Sequence, residues 1–145
     1  MELARDVLVL NGLIALLLGF ACGAPLGSAI NRARPEEIVR AWRVAHSSLV
    51  SGGVMLLAIA SAVAHLALPR AVLLAAAGAL AASMYAFAYA LIAGARNGHR
   101  GLEDKGGTAA RTIYWSNLGG IALSTGSVTV FACGAWVTLW RSVSP

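Results

Sequence analysis

The sequence predicts an all-α integral membrane protein, a four-helix bundle in a single domain, on three observations. Hydrophobic residues make up 59% of the 145 and charged residues 12%, about half the roughly 25% charged content of a soluble domain. Mean hydropathy is +0.75. The apolar residues gather into four runs without charged side chains, at 7–30, 44–68, 71–95 and 112–140, each longer than the roughly 20 helical residues that cross a hydrocarbon core. A chain this short cannot hide that much apolar surface within itself. Lipid is therefore part of its solvent, and 1–145 reads as one transmembrane domain. Open strands in lipid would leave backbone groups unpaired, and Ala- and Leu-rich runs without period-2 alternation exclude a barrel.

The first run, 7–30, reads as a retained helix. Glu2 and Asp6 beside Arg5 make a poor positive leader, the run is long for a signal-peptide core, and Gly19-Phe20-Ala21 before Cys22 is a weak lipoprotein match. The second helix is expected to begin near Pro35, with proline at its first position and Glu36 and Glu37 in its first turn, and to enter the bilayer around Trp42 and Arg43. Pro69-Arg70 reads as a tight turn joining antiparallel neighbours. The connection 96–111, with Gly98, Gly101, Gly106 and Gly107, reads as flexible or substrate-facing. Gly19-xxx-Gly23-xxx-Gly27 and Ser116-xxx-Gly120-xxx-Ser124 are small-residue spacings that let helix backbones approach. Four short spans enclose little interior, so a homo-oligomer is expected.

The net charge of +5 falls between the runs rather than in a stripe interleaved with aromatics, which speaks against nucleic acid and for anionic headgroups. Arg32, Arg34, Arg40, Arg43, Arg96, Arg100, Lys105 and Arg111 lie at one end of the bundle, and only Arg5, Arg70 and Arg141 at the other. The positive-inside rule puts the two long connections in the cytoplasm of a bacterial-type inner membrane.

Ionisable residues within spans are functional candidates, and His46 is the only one well inside. It fits an interfacial histidine capped by a carbonyl or headgroup, and equally a metal or haem ligand. His65 lies 19 residues later, roughly 28 Å along a continuous helix, and His99 falls in a connection. Within one chain a haem on His46 would therefore be five-coordinate, with an open face. Cys22 and Cys133 fall toward opposite ends, too far apart for a disulfide, and are expected to be free, buried thiols. Tyr89 and Asn117 lie at the depth of His46, where an unpaired polar tip is costly and a partner is expected. Tyr85 and Tyr114 bracket them, and Trp42, Tyr114 and Trp115 fit an aromatic belt. No Asp or Glu lies in any run, so paired-carboxylate schemes lack members. No nucleophile triad, clustered metal motif or phosphate-binding loop can be assembled. One histidine, tyrosine hydroxyls and an apolar setting suit a bound cofactor that supplies the electrophile.

At these residues the chain resembles the styrene oxide isomerase family, small four-span membrane enzymes that carry haem b. The likeness centres on Trp42-Arg43-Val44-Ala45-His46-Ser47, where the family has a tryptophan four residues before Ala-His-Ser, with Pro35-Glu36 upstream and Gly53 seven residues after the histidine. Phe87-Ala88-Tyr89 falls where the family has an active-site tyrosine, and Arg100-Gly101-Leu102 resembles a family Arg-Gly-Leu. The resemblance implies that His46 is the axial ligand of a ferric haem b flanked by Trp42 and Arg43. It implies that Tyr89 bonds substrate oxygen, and that a hydrophobic epoxide is converted to a carbonyl compound by Lewis-acid ring opening and a 1,2-shift. Two positions depart from the family: Gly52 stands for an asparagine near the substrate, and Ala81 for an acidic residue. Asn117 or Ser51 would then supply any second donor, and the small side chains at 52, 53, 81 and 82 would admit a bulkier epoxide. The competing readings are a haem-binding sensor or electron carrier, and a cofactor-free structural or transport subunit.

Overall fold

The computed structural model describes residues 2–98 and 107–144. Four helices account for nearly all of them: α1 (Glu2–Asn31), α2 (Glu36–Val63), α3 (Arg70–Asn97) and α4 (Gly107–Val143). Each is long and apolar enough to cross a membrane, and no strand occurs among the described residues. The chain is an integral membrane four-helix protein, as the apolar runs predict.

The helix ends follow local chemistry. The last turn of α1 closes as a Schellman motif, in which Ala33 N–H meets the Ile30 carbonyl and Arg34 N–H meets the Ala29 carbonyl, each at 3.0 Å. Ala33 occupies the left-handed position, φ 48°, where glycine is normally preferred. Pro35 caps α2 from outside its first turn, and Glu36 and Glu37 sit within that turn, favourably placed against the helix dipole. Proline thus stands one position earlier than expected.

α2 ends sooner than its apolar run suggests. It stops at Val63, and 64–69 forms an irregular connection instead of a tight turn at Pro69-Arg70. Hydropathy is blind to this stop because the connection is itself apolar. Its backbone is satisfied by local turn bonds and, at Ala67, from α4: the Thr138 hydroxyl takes the Ala67 N–H at 2.8 Å. Leu68 fills the notch left by Gly134. His65 consequently lies in the connection and not on α2, although still at the opposite end of that helix from Pro35. α3 ends on Gly98, φ 72°, and α4 starts earlier and ends later than its run, at Gly107 and Val143.

α1 packs closely along α2, α3 touches both, and α4 lies along α3. The largest fully buried side chains are Leu8, Leu56, Leu73, Leu80, Ile113 and Val63. α3 is the most enclosed span and α4 the least. That placement corrects one expectation: both cysteines are free, but only Cys22 is buried, whereas Cys133 is exposed because α4 turns much of its circumference away from the other helices.

Candidate functional site

The site begins with a close approach of α1 to α2. A Cβ on Gly19 would lie 2.7 Å from Val50 Cγ2 and 2.9 Å from the Val50 amide nitrogen. A Cβ on Gly53 would lie 2.8 Å from the Gly12 carbonyl oxygen. Only glycine lets these backbones meet, and the meeting brings the α1 backbone within reach of α2 side chains. His46 uses it. Its Nδ1 lies 2.8 Å from the Gly19 carbonyl oxygen, and the ring sits beside Gly23, whose Cβ would fall 3.7 Å from Nδ1.

The protonation pattern follows from that partner. A carbonyl only accepts, so Nδ1 carries the proton and donates it. In the neutral ring Nε2 is then left with a bare lone pair, the tautomer that a metal-binding histidine needs. Carbonyl capping, one of the two alternatives in the sequence, is met by Nδ1 and leaves Nε2 uninvolved in it.

The other predicted residues are spread around this anchor. Trp42, one turn before His46, is half-buried and packs against the core. Arg43 is exposed and 3.8 Å from Glu36, a separation at which a solvent-exposed pair contributes little. Tyr89 is 49% exposed on α3, and its hydroxyl has no hydrogen-bond partner among the described residues, contrary to the expectation of one. It lies on a face of α3 turned away from the core. Asn117 is half-buried and is not without an interaction. Tyr114 and Trp115 meet edge to face at 5.5 Å. Among the described residues no cluster of three or more His, Cys, Asp or Glu side chains is placed to hold a metal ion. His99 and Arg100-Gly101-Leu102 lie outside the described residues.

Two clefts open between the helices. One of about 450 Å³, between α2, α3 and α4, is walled by residues that include Ser51, Gly52, Met55, Met84, Phe87 and Ser124. The other, of about 310 Å³, runs between Arg40 and Ala41 of α2 and Gly94 and Ala95 of α3. Neither is lined by His46, Tyr89 or Asn117, so neither of these clefts gathers the three. Sequence reasoning missed Asn11. It accepts a hydrogen bond from the Tyr85 hydroxyl at 2.6 Å through Oδ1 and donates Nδ2–H to the Val7 carbonyl at 2.7 Å. The available signal was a lone amide in an apolar run, where hydrocarbon offers it no partner.

Four apolar helices, each long enough to cross a membrane, with a carbonyl-anchored histidine on the second and a tyrosine on the third, define an integral membrane protein. The styrene oxide isomerase family model matches residues 4–139. The chain belongs to that family, which makes it an isomerase of the styrene oxide isomerase type. No curated protein and no solved structure matches it.

Proposed function

We propose that the chain is a haem-b-dependent membrane isomerase that converts a hydrophobic epoxide to a carbonyl compound. The observation that carries this reading is the His46–Gly19 hydrogen bond, which leaves Nε2 as a preoriented ligand. The donor set fits the group: a neutral imidazole held by a backbone carbonyl would be a basic, fixed ligand to its iron. When bound, ferric haem b supplies Lewis acidity toward an ether oxygen, with no net redox change.

The chain's own residues divide the remaining work. His46 would hold the iron, and the Gly19 carbonyl fixes its tautomer. Trp42 and Arg43 would help to hold the group, Trp42 by apolar contact and Arg43 through its positive charge. The Tyr89 hydroxyl donates a hydrogen bond to the substrate oxygen as negative charge grows there during ring opening. Asn117 is the second candidate donor. The apolar surroundings keep water from the electron-poor carbon, so a hydride or alkyl group migrates to it and the oxygen-bearing carbon becomes the carbonyl.

Because His46 is only half-buried and Tyr89 half-exposed, a second copy of the chain closes the site in a homo-oligomer. The excess of positive residues beside both long connections orients those connections toward the cytoplasm of a bacterial-type inner membrane.

The test is turnover. Purified, haem-supplemented protein incubated with aryl and terpenoid epoxides yields carbonyl products by gas chromatography, and His46→Ala yields none. Tyr89→Phe lowers kcat by about a hundredfold, the scale of losing one donor to a developing oxyanion. Undiminished turnover in Tyr89→Phe removes Tyr89 from the mechanism, and absence of any carbonyl product across the panel contradicts the isomerase reading.

A further inference from the structure

Tyr85 and Asn11 form a polar pair where the membrane offers no water. Tyr85 is the sixteenth of the 28 residues of α3 and Asn11 the tenth of the 30 of α1, so both lie deep in their spans. The hydrogen-bond accounting is directional. Tyr85 gives its only proton to Asn11 Oδ1 at 2.6 Å, and Asn11 gives one Nδ2 hydrogen to the Val7 carbonyl at 2.7 Å. The pair still holds one amide hydrogen and the phenolic lone pairs. Tyr85 is 46% exposed, so this capacity is not sealed inside the chain. In hydrocarbon, leaving it unused is costly.

Tyr89 follows Tyr85 by one turn. Residues four apart share a helix face and are separated by roughly 6 Å along the axis. Tyr89 is 49% exposed and its hydroxyl has no partner among the described residues. One face of α3, joined to α1 through Asn11, therefore carries two polar positions about one turn apart in an apolar setting. One is a free hydroxyl. The other is a fixed pair with a donor and an acceptor to spare.

We infer that this face binds an oxygenated substrate, an apolar molecule with a second oxygen function, hydroxyl or carbonyl, about 6 Å from the oxygen that Tyr89 meets. The Asn11–Tyr85 pair is its specificity determinant. A hydroxyl fits best, since it can donate to Tyr85 Oη and accept from Asn11 Nδ2. This deepens the isomerase reading and rests on it.

The test uses two probes that differ by a single hydroxyl, p-menth-1-ene 1,2-epoxide and α-terpineol 1,2-epoxide. Their equilibrium binding to the haem-supplemented full chain in nanodiscs is measured against empty nanodiscs, and turnover is measured separately. The wild-type chain binds the hydroxylated probe about tenfold more tightly. Tyr85→Phe and Asn11→Leu each abolish that preference and change the affinity for the plain epoxide less than twofold. If the pair only joins α1 to α3, both variants lower thermal stability while the preference persists, which would overturn the inference. Equal wild-type affinities would also overturn it. Binding of both probes with the expected preference but no carbonyl product contradicts the isomerase reading alone, and the site stands.

Discussion

Gly52 and Gly53 are neighbours on α2 and live in opposite surroundings. A Cβ on Gly53 would press against the Gly12 carbonyl oxygen and Leu16 Cγ, both at 2.8 Å, whereas a Cβ on Gly52 would meet nothing within 4 Å. One faces the seam with α1, where backbones touch. The other faces the cleft shared with α3 and α4. The seam fixes a histidine to a carbonyl, and the cleft leaves room. A helix whose successive residues point about 100° apart can thus fix a side chain on one side and keep a space open on the other.

Substitution at the seam produces the largest expected effect. Gly53→Ala and Gly19→Ala each force α1 and α2 apart and should cost about 1–3 kcal/mol, read as a lower melting temperature in detergent. Gly19→Ala also moves the carbonyl that orients His46, so it should weaken haem retention more than Gly53→Ala does. Equal haem retention in the two would break the link between seam and ligand. Gly23→Ala is the control within α1, because its Cβ would stand in ordinary contact with His46, at 3.7 Å, and should be tolerated.

A loss of similar or smaller size is expected at the far end. Thr138→Val removes the hydroxyl that receives the Ala67 N–H and leaves that donor unpaired in the apolar connection 64–69. The cost should be about 1–2 kcal/mol in the same melting assay, with haem retention unchanged. At the open cleft the sign reverses. Gly52→Ala fills empty space and improves helix propensity, so stability should rise by up to about 1 kcal/mol; a fall would mean that the cleft is closed in the working protein. Smallest is Ala33→Gly, which relieves the left-handed strain at the end of α1 and should stabilise by about 0.5–1 kcal/mol net of glycine's greater unfolded freedom.

How much of this could be read in the sequence follows from what each feature depends on. The four spans were legible because lipid imposes a length and a composition on any crossing helix. The start of α2 was legible because Pro35, Glu36 and Glu37 act locally. The small-residue spacing on α1 pointed to close packing, but only Gly19 meets a backbone, while a Cβ on Gly27 would touch nothing within 4 Å. Spacing names a face without naming its partner. On α4, Gly120 faces the side-chain ring of Phe87 and no backbone, while Ser124 bonds back to its own helix.

The misses are tertiary. The connection after the early stop of α2 is held by Thr138, which is 71 residues from Ala67. The exposure of Cys133 depends on α4 packing mainly along α3. The Asn11–Tyr85 bond joins residues 74 apart, and neither run reveals the other. In the candidate site, His46 was legible as the one ionisable residue deep in a span, yet its anchor was not, since a backbone carbonyl has no signature in sequence. Tyr89 was legible as a deep hydroxyl, and the partner expected for it within the chain is missing among the described residues.

The central claim is that α1 holds His46 so that Nε2 binds haem iron. The direct measurement is the visible spectrum of the detergent-purified, haem-supplemented protein, with His46→Ala alongside and free imidazole added to the variant. The account predicts a Soret band in the wild type, its loss in His46→Ala, and its return with imidazole. A Soret band that survives His46→Ala unchanged, or a wild-type protein that stays colourless after supplementation, would contradict it.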